Sequence, residues 1–262
     1  MKITLFTSNQ IRHNYLSHSL LDIATELNVV QENSIVSSKI TPGHYPASSL
    51  MKEYFLKVNY AQKKIFGNPN NLKTGKNINL LTLPSGDLNK CSIEFLYSFL
   101  KSDVYIVFGS SYIKDDLANF LIKHKALNIH MGVSPYYRGT DCNFWALFDN
   151  NPHLVGATIH VLSKGLDSGP MLYHALSEIK DDPFLYTMST VKSAFHSLAE
   201  RIKSQKIFRY LPEEQNKSKE IRYSKKSDFN DEVVKTFLSK KIDLNKKTFK
   251  TDFYKDPYFL KS

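Results

Sequence analysis

Asn128 and His130 stand two residues apart at the end of the apolar run ALNIH, and Asp167 lies between two glycines in SKGLDSGP, Ser163 to Pro170. On a strand, residues i and i+2 share a face, so an amide and an imidazole would point together from the strand's carboxyl end. The amide can donate to a developing oxyanion, while the imidazole can move a proton or bond the same oxygen. That pair suits acyl transfer. Taken alone, N-x-H also fits a satisfied histidine beside a turn-capping asparagine. Gly165 and Gly169 allow a tight turn, and a carboxylate pushed beside His130 would favour its protonated ring and orient it. Asp167 alone equally fits an Asx turn.

The elements that must position these groups alternate in type. Lys2 to Thr7, Asn77 to Leu83, Asp103 to Phe108 and Ala126 to Ile129 have the apolar character of strands; Tyr15 to Glu26, Ala47 to Phe66, Ile93 to Leu100, Ile113 to His124 and Asp141 to Phe148 have helical spacing. The expected architecture is α/β: a mostly parallel sheet with helices on both faces. In such sheets ligands bind outside the carboxyl ends of the strands. The turns after Thr7, Phe108 and Ile129 should therefore share one rim. Val155 to Leu162 and Met171 to Ile179 predict a hairpin-like pair, and Pro183 to Ile207 a long helix with Pro in its first turn. The expected division is a catalytic domain over 1–210 and a short C-terminal extension over 211–262 packed on it. Phe229, Val233, Phe237 and Leu238 give the extension an apolar helical face that could support a homodimer.

Composition narrows the classes. The 262 residues are 42% hydrophobic, enough for a real core, and hold no apolar run long enough to cross a bilayer. The start, MKITLFTSNQ, lacks a signal peptide's cleavage region, so the expectation is a cytoplasmic protein without a membrane partner. Cys91 and Cys142 lack CxxC spacing and predict buried small hydrophobes, with no metal site. The net charge of +10 is spread along the chain with no dense basic block, which argues against nucleic acid as a partner.

The order N-x-H, Asn128 and His130, then P-x-x-R-G, Pro135 to Gly139, then G-L-D-S-G, Gly165 to Gly169, resembles the folate-dependent formyltransferases. Either motif alone would be weak. The resemblance implies a Rossmann-like sheet and transfer of a formyl group from 10-formyltetrahydrofolate to a primary amine, with Asn128, His130 and Asp167 as the catalytic residues. It further implies that the pterin is read by Phe108, Gly109, Ser110, Ser111, Tyr112 and Ile113 and by Ser163, Lys164 and Gly165. Two departures stand out: MGVSP follows the histidine where many members have S-L-L-P, and Ser163 opens the glycine turn where an Asp is common.

The acceptor is not encoded in the catalytic residues. TSNQIRHN after the first strand has no glycine-rich phosphate loop, which counts against glycinamide ribonucleotide, and the extension is too short for the β-barrel of methionyl-tRNA formyltransferases. SPYYRGTDCNFWAL is most similar to the sugar N-formyltransferase branch, which implies a small-molecule acceptor, a nucleotide-linked amino-sugar. Arg12, His13, Tyr136, Tyr137 and Arg138 are the candidate acceptor contacts; Arg138 also fits a loop-fixing salt bridge, and Trp145 fits core. A methionyl-tRNA acceptor and a formate-releasing hydrolase keep the same chemistry. An RNA-binding scaffold on a decayed catalytic fold would have lost one of Asn128, His130 or Asp167, and all three are present.

Overall fold

A computed structural model describes residues 1–33, 45, 48–67, 75–244 and 251–260. Its centre is an eight-stranded sheet. The parallel half comprises β1 (Lys2–Ser8), β2 (Glu26–Asn33), β3 (Ile78–Pro84), β4 (Val104–Phe108) and β5 (Leu127–His130), in spatial order β3-β2-β1-β4-β5. Beyond the short β6 (Tyr137–Gly139), β7 (Ala157–Val161) and β8 (Met171–Ser177) continue the sheet antiparallel as the expected hairpin-like pair.

Burial on both faces explains the apolar strands. In β4 (VYIVF), Val104, Ile106 and Phe108 enter one core while Tyr105 and Val107 enter the other, as the two-residue period of a strand requires. The first core is covered by α1 (Ile11–Leu21) and, beyond α2 (Ser49–Phe66), by the long α5 (Pro183–Lys203); the second is covered by α3 (Asp115–Lys123), which precedes the short α4 (Cys142–Phe148). The starts of α2 and α5 are capped: Ser48 Oγ accepts from Met51 N at 3.1 Å, and Asp182 Oδ1 accepts from Leu185 N at 2.8 Å. Such caps satisfy donors that a helix start leaves open.

Two expected elements differ. The helix placed over Tyr15 to Glu26 runs over Ile11–Leu21, and Glu26 opens β2. The sequence ELNVVQEN hides a strand because its polar side chains are buried with internal partners: Asn28 Nδ2 donates to Ser102 Oγ at 3.2 Å and Gln31 Nε2 to Asn14 Oδ1 at 3.2 Å. The segment Ile93 to Leu100 forms only a 3₁₀ turn, Tyr97–Leu100.

The residues after 210 are woven into the body. β9 (Arg222–Ser224) pairs in parallel with β6, α6 (Asp231–Ser239) follows, and β10 (Tyr258–Leu260) extends the sheet beside β8. Phe229, Val234 and Phe237 are buried with Phe55 of α2 and Phe144 of α4. The apolar face expected to support a homodimer is therefore largely consumed within the chain. No helix among the described residues is long and apolar enough to cross a membrane.

Candidate active site

The carboxyl ends of β1, β4 and β5 lie side by side, which brings the three expected turns to one rim. From β5, Asn128 and His130 point to the same side. The antiparallel partner β7 sets His160 opposite Asn128 and Thr158 opposite His130. Thr158 Oγ1 donates to the Gly132 carbonyl at 2.6 Å and accepts from Ser134 N at 2.8 Å, pinning the chain as it leaves the strand. Gly132 is required there, because a Cβ would lie 2.7 Å from His130 Nε2 and 2.6 Å from Cys142 Cβ.

Asp167 closes the cluster from the turn between β7 and β8. Its Oδ2 stands 3.3 Å from His130 Nδ1, and its Oδ1 accepts from Asn128 Nδ2 at 3.1 Å. His130 Nε2 faces the Tyr137 carbonyl at 3.0 Å, so both ring nitrogens meet acceptors and the ring is best satisfied as the cation. His160 Nδ1 faces the Val161 carbonyl at 2.9 Å and carries its proton there, which leaves Nε2 to accept from Asn128 Nδ2 at 2.9 Å. Every polar hydrogen of the Asn128 amide and the His130 ring thus has a protein acceptor.

The electrostatics agree with this pattern. Burial opposes the charged form of His130, but the charge of Asp167 at the buried ring overcomes it, and the pKa stands well above the ordinary 6.5. Burial likewise opposes the Asp167 carboxylate, and the charge and hydrogen bond of His130 outweigh it, holding the group well below the usual carboxylate range. The pair is a buried imidazolium and carboxylate.

His130 and Met131 form one wall of a cavity of about 560 Å³. Tyr45, Tyr54, Phe55, Phe144 and Phe184 give it an aromatic lining, and Arg12, Lys63 and Asp141 give it charge. The volume lies within the usual range for small-molecule sites. Arg12 Nη1 donates to Gln62 Oε1 at 2.8 Å; burial lowers its pKa to about 10, partly offset by Asp141. The Asp141 carboxylate accepts from the Tyr45 hydroxyl at 2.9 Å, and burial raises its pKa.

The expected acceptor contacts divide. Arg12 lines the cavity, but Tyr136, Tyr137 and Arg138 do not. Tyr137 is fully buried and bonds Asp149 and Asn151, Tyr136 packs on Phe253, and Arg138 pairs with Glu220 at 2.9 Å. The aromatic pair is held against the C-terminal extension: Tyr137 opens β6, which pairs with β9, and the Tyr136 carbonyl accepts from Ile221 N and Arg222 N at 2.9 and 3.1 Å. The salt bridge of Arg138 reaches the C-terminal extension. His13 is buried outside the cavity with its ring 4.9 Å from that of Phe108, and burial together with neighbouring Arg12 drives its pKa well below 6.5.

The two segments expected to read a pterin do meet, since the Tyr112 hydroxyl donates to the Lys164 carbonyl at 2.5 Å. Gly109 and Lys164 with Gly165 are exposed, whereas Phe108 and Ile113 are buried; Ser110 and Ser163 lie between these extremes. Ser111 is committed elsewhere: its N–H and hydroxyl bond the buried Glu32 carboxylate at 2.6 and 2.5 Å. Glu32, Asp141, Tyr45 and His160 were missed by sequence reasoning. His160 alone left a signal, as a polar residue inside VGATIHVL. Among the described residues no group of three or more His, Cys, Asp or Glu is placed to hold a metal ion.

Comparison with known proteins supports the fold. A solved N-formyltransferase from Helicobacter canadensis, in complex with folinic acid and dTDP-3-aminofucose, superposes with a TM-score of 0.51 at 14% identity, covering 88% of this chain and 72% of that one. A methionyl-tRNA formyltransferase from Thermotoga neapolitana is 36% identical over 101 residues, 38% of this chain and 31% of that protein. A mitochondrial formyltetrahydrofolate deformylase from Arabidopsis thaliana is 30% identical over 134 residues, 50% of this chain and 40% of that protein. The chain thus spans less than half the length of these curated relatives. Residues 100–207, which carry Asn128, His130 and Asp167, match the family model described as formyl transferase.

Proposed function

We propose that the protein transfers the formyl group of 10-formyltetrahydrofolate to the primary amine of a nucleotide-linked amino-sugar, such as a 4-amino-4,6-dideoxy sugar. The observation that carries this reading is the bonded cluster of Asn128, His130 and Asp167, whose His130 lines an aromatic cavity that also holds Arg12. In this reading 1–210 is the catalytic unit, 211–262 is an extension packed on it, and the setting is the cytoplasm.

Asn128 Nδ2 and the protonated His130 ring supply N–H groups to the oxygen of the formyl group as negative charge develops there. Each gives up one of its present acceptors to do so. Asp167 keeps the imidazolium charged and oriented; as the C–N bond to the amine forms and the bond to the folate nitrogen breaks, His130 delivers a proton to that departing nitrogen and takes one back from the added amine, ending charged as it began. The exposed Gly109 and Lys164 to Gly165, joined by Tyr112, are the fitting place for the pterin. Aromatic faces with Arg12 and Lys63 suit a base and a phosphate-bearing acceptor, and the Helicobacter canadensis relative was crystallised with dTDP-3-aminofucose.

The curated methionyl-tRNA formyltransferase relative favours a second reading, in which the amine belongs to charged initiator tRNA. Incubation with 10-formyltetrahydrofolate and a panel of nucleotide-linked amino-sugars should release tetrahydrofolate with one of them. Turnover with charged initiator tRNA alone would select the second reading. Formate release without any amine would establish a hydrolase instead.

A further inference from the structure

We propose that Gln215, which lies outside the matched 100–207 segment, is a positioning residue that clamps the turn carrying Asp167. The inference rests on the reading that Asp167 works through His130. Gln215 Nε2 donates to the Asp167 carbonyl at 2.9 Å and to the Gly169 carbonyl at 2.8 Å. Both amide hydrogens are thereby spent on two carbonyls of one turn. Gln215 Oε1 is buried with no hydrogen-bond partner among the described residues, so the side chain gains nothing from its acceptor end. Rotating the amide would set oxygen against both carbonyls, which fixes its orientation.

The turn needs outside support. Asp167 has φ 47°, a left-handed conformation that is unfavourable for a residue with a Cβ. Gly169 is pressed so closely against β7 that a Cβ would collide with the Val161 carbonyl. A third carbonyl of the turn, that of Leu166, accepts from Arg138 Nη2 at 3.3 Å, and Arg138 is itself held by Glu220. The clamp is delivered by a short antiparallel bridge: Glu213 and Met171 exchange backbone bonds at 2.7 and 3.0 Å, two residues before Gln215.

The same segment holds the other partner of His130. β9 pairs with β6, whose Tyr137 carbonyl faces His130 Nε2. Residues 213–224 thus secure both acceptors of the imidazolium, the carboxylate through Gln215 and the carbonyl through β9. Gln215 touches neither His130 nor the cavity and acts only through Asp167.

The test is a set of substitutions in the full chain, read by NMR titration of the His130 ring and by steady-state kinetics. The groups facing His130 are Asp167 from the turn, Cys142 from α4 and the Tyr137 carbonyl from β6; His160 and Asn128 face Asp167. Gln215→Met keeps the side chain's length without its donors. It should move the His130 midpoint down toward 6.5 and lower kcat roughly 10- to 100-fold, with KM for the acceptor little changed. Gln215→Asn, shorter but polar, serves if Gln215→Met does not fold and should shift the midpoint in the same direction by less. An unmoved His130 midpoint in a folded variant overturns the clamp whatever the activity. Asp167→Asn separates the two claims: retained turnover there would defeat the catalytic reading of Asp167, while the His130 titration in the Gln215 variants would still decide the clamp.

Discussion

The cluster of Asn128, His130, His160 and Asp167 and the cavity beside it are built on opposite plans. Asn128, His130, His160 and Asp167 come from two paired strands and the turn that follows one of them, and their polar atoms are bonded to one another or to backbone. The cavity is drawn from α1, α2, α4, α5, α6 and Tyr45, and its polar groups keep faces toward open space. A sheet holds neighbours at a fixed spacing, whereas packed helices can change side chains without moving the strands. Under the proposed function, chemistry and specificity can therefore vary separately.

The largest effect should come from breaking the cluster. His130→Ala or Asp167→Asn is expected to reduce turnover about 10²- to 10⁴-fold while acceptor binding, measured by calorimetry, persists. A residual rate near that of the unsubstituted protein would remove the cluster from the chemistry. Changes on the cavity side should give the converse pattern. Arg12→Ala or Asp141→Asn should raise acceptor KM about 10-fold with kcat within about threefold, and an equal loss in kcat would erase the distinction between the two regions.

Stability against pH sharpens the same contrast. The depressed pKa of Asp167 contributes stability above its unfolded value of about 3.9, and that contribution fades as pH falls through the folded value. The raised pKa of His130 contributes stability fully present below 6.5 and lost as pH rises through the folded value. The urea midpoint gap between the protein and its Asp167→Asn variant should therefore be widest between those limits, on the order of 3 kcal/mol in unfolding free energy, and should narrow on the alkaline side. A gap independent of pH would mean that the pair is not charged. The smallest effect belongs to the salt bridge of Arg138: Glu220→Gln, which weakens it, should cost about 1 kcal/mol and leave acceptor KM unchanged. A raised KM would restore Arg138 to the acceptor site.

How much was legible follows from what holds each residue. Asn128 and His130 were readable because strand geometry is local: two residues on one short strand share a face without help from the rest of the chain. Tyr136 and Tyr137 read as acceptor contacts in the sequence, yet an aromatic pair near His130 is equally good core, and the pairing of β6 with β9, distant in sequence, buried it. Glu26–Asn33 was hidden because Asn28, Gln31 and Glu32 look like a polar stretch until Ser102, Asn14 and Ser111 are brought to them.

The sequence by itself determined the alternation of strands and helices, the N-x-H face and the glycine-bounded turn that can bring a carboxylate near it, because these depend on local backbone geometry and short-range periodicity. Only the tertiary structure decided that His160 stands opposite Asn128, that α1, α2, α4 and α6 enclose the cavity, and that Gln215 reaches the Asp167 turn. Those contacts join residues far apart in the chain, and their geometry is set by strand register and helix packing, which no short stretch of sequence contains.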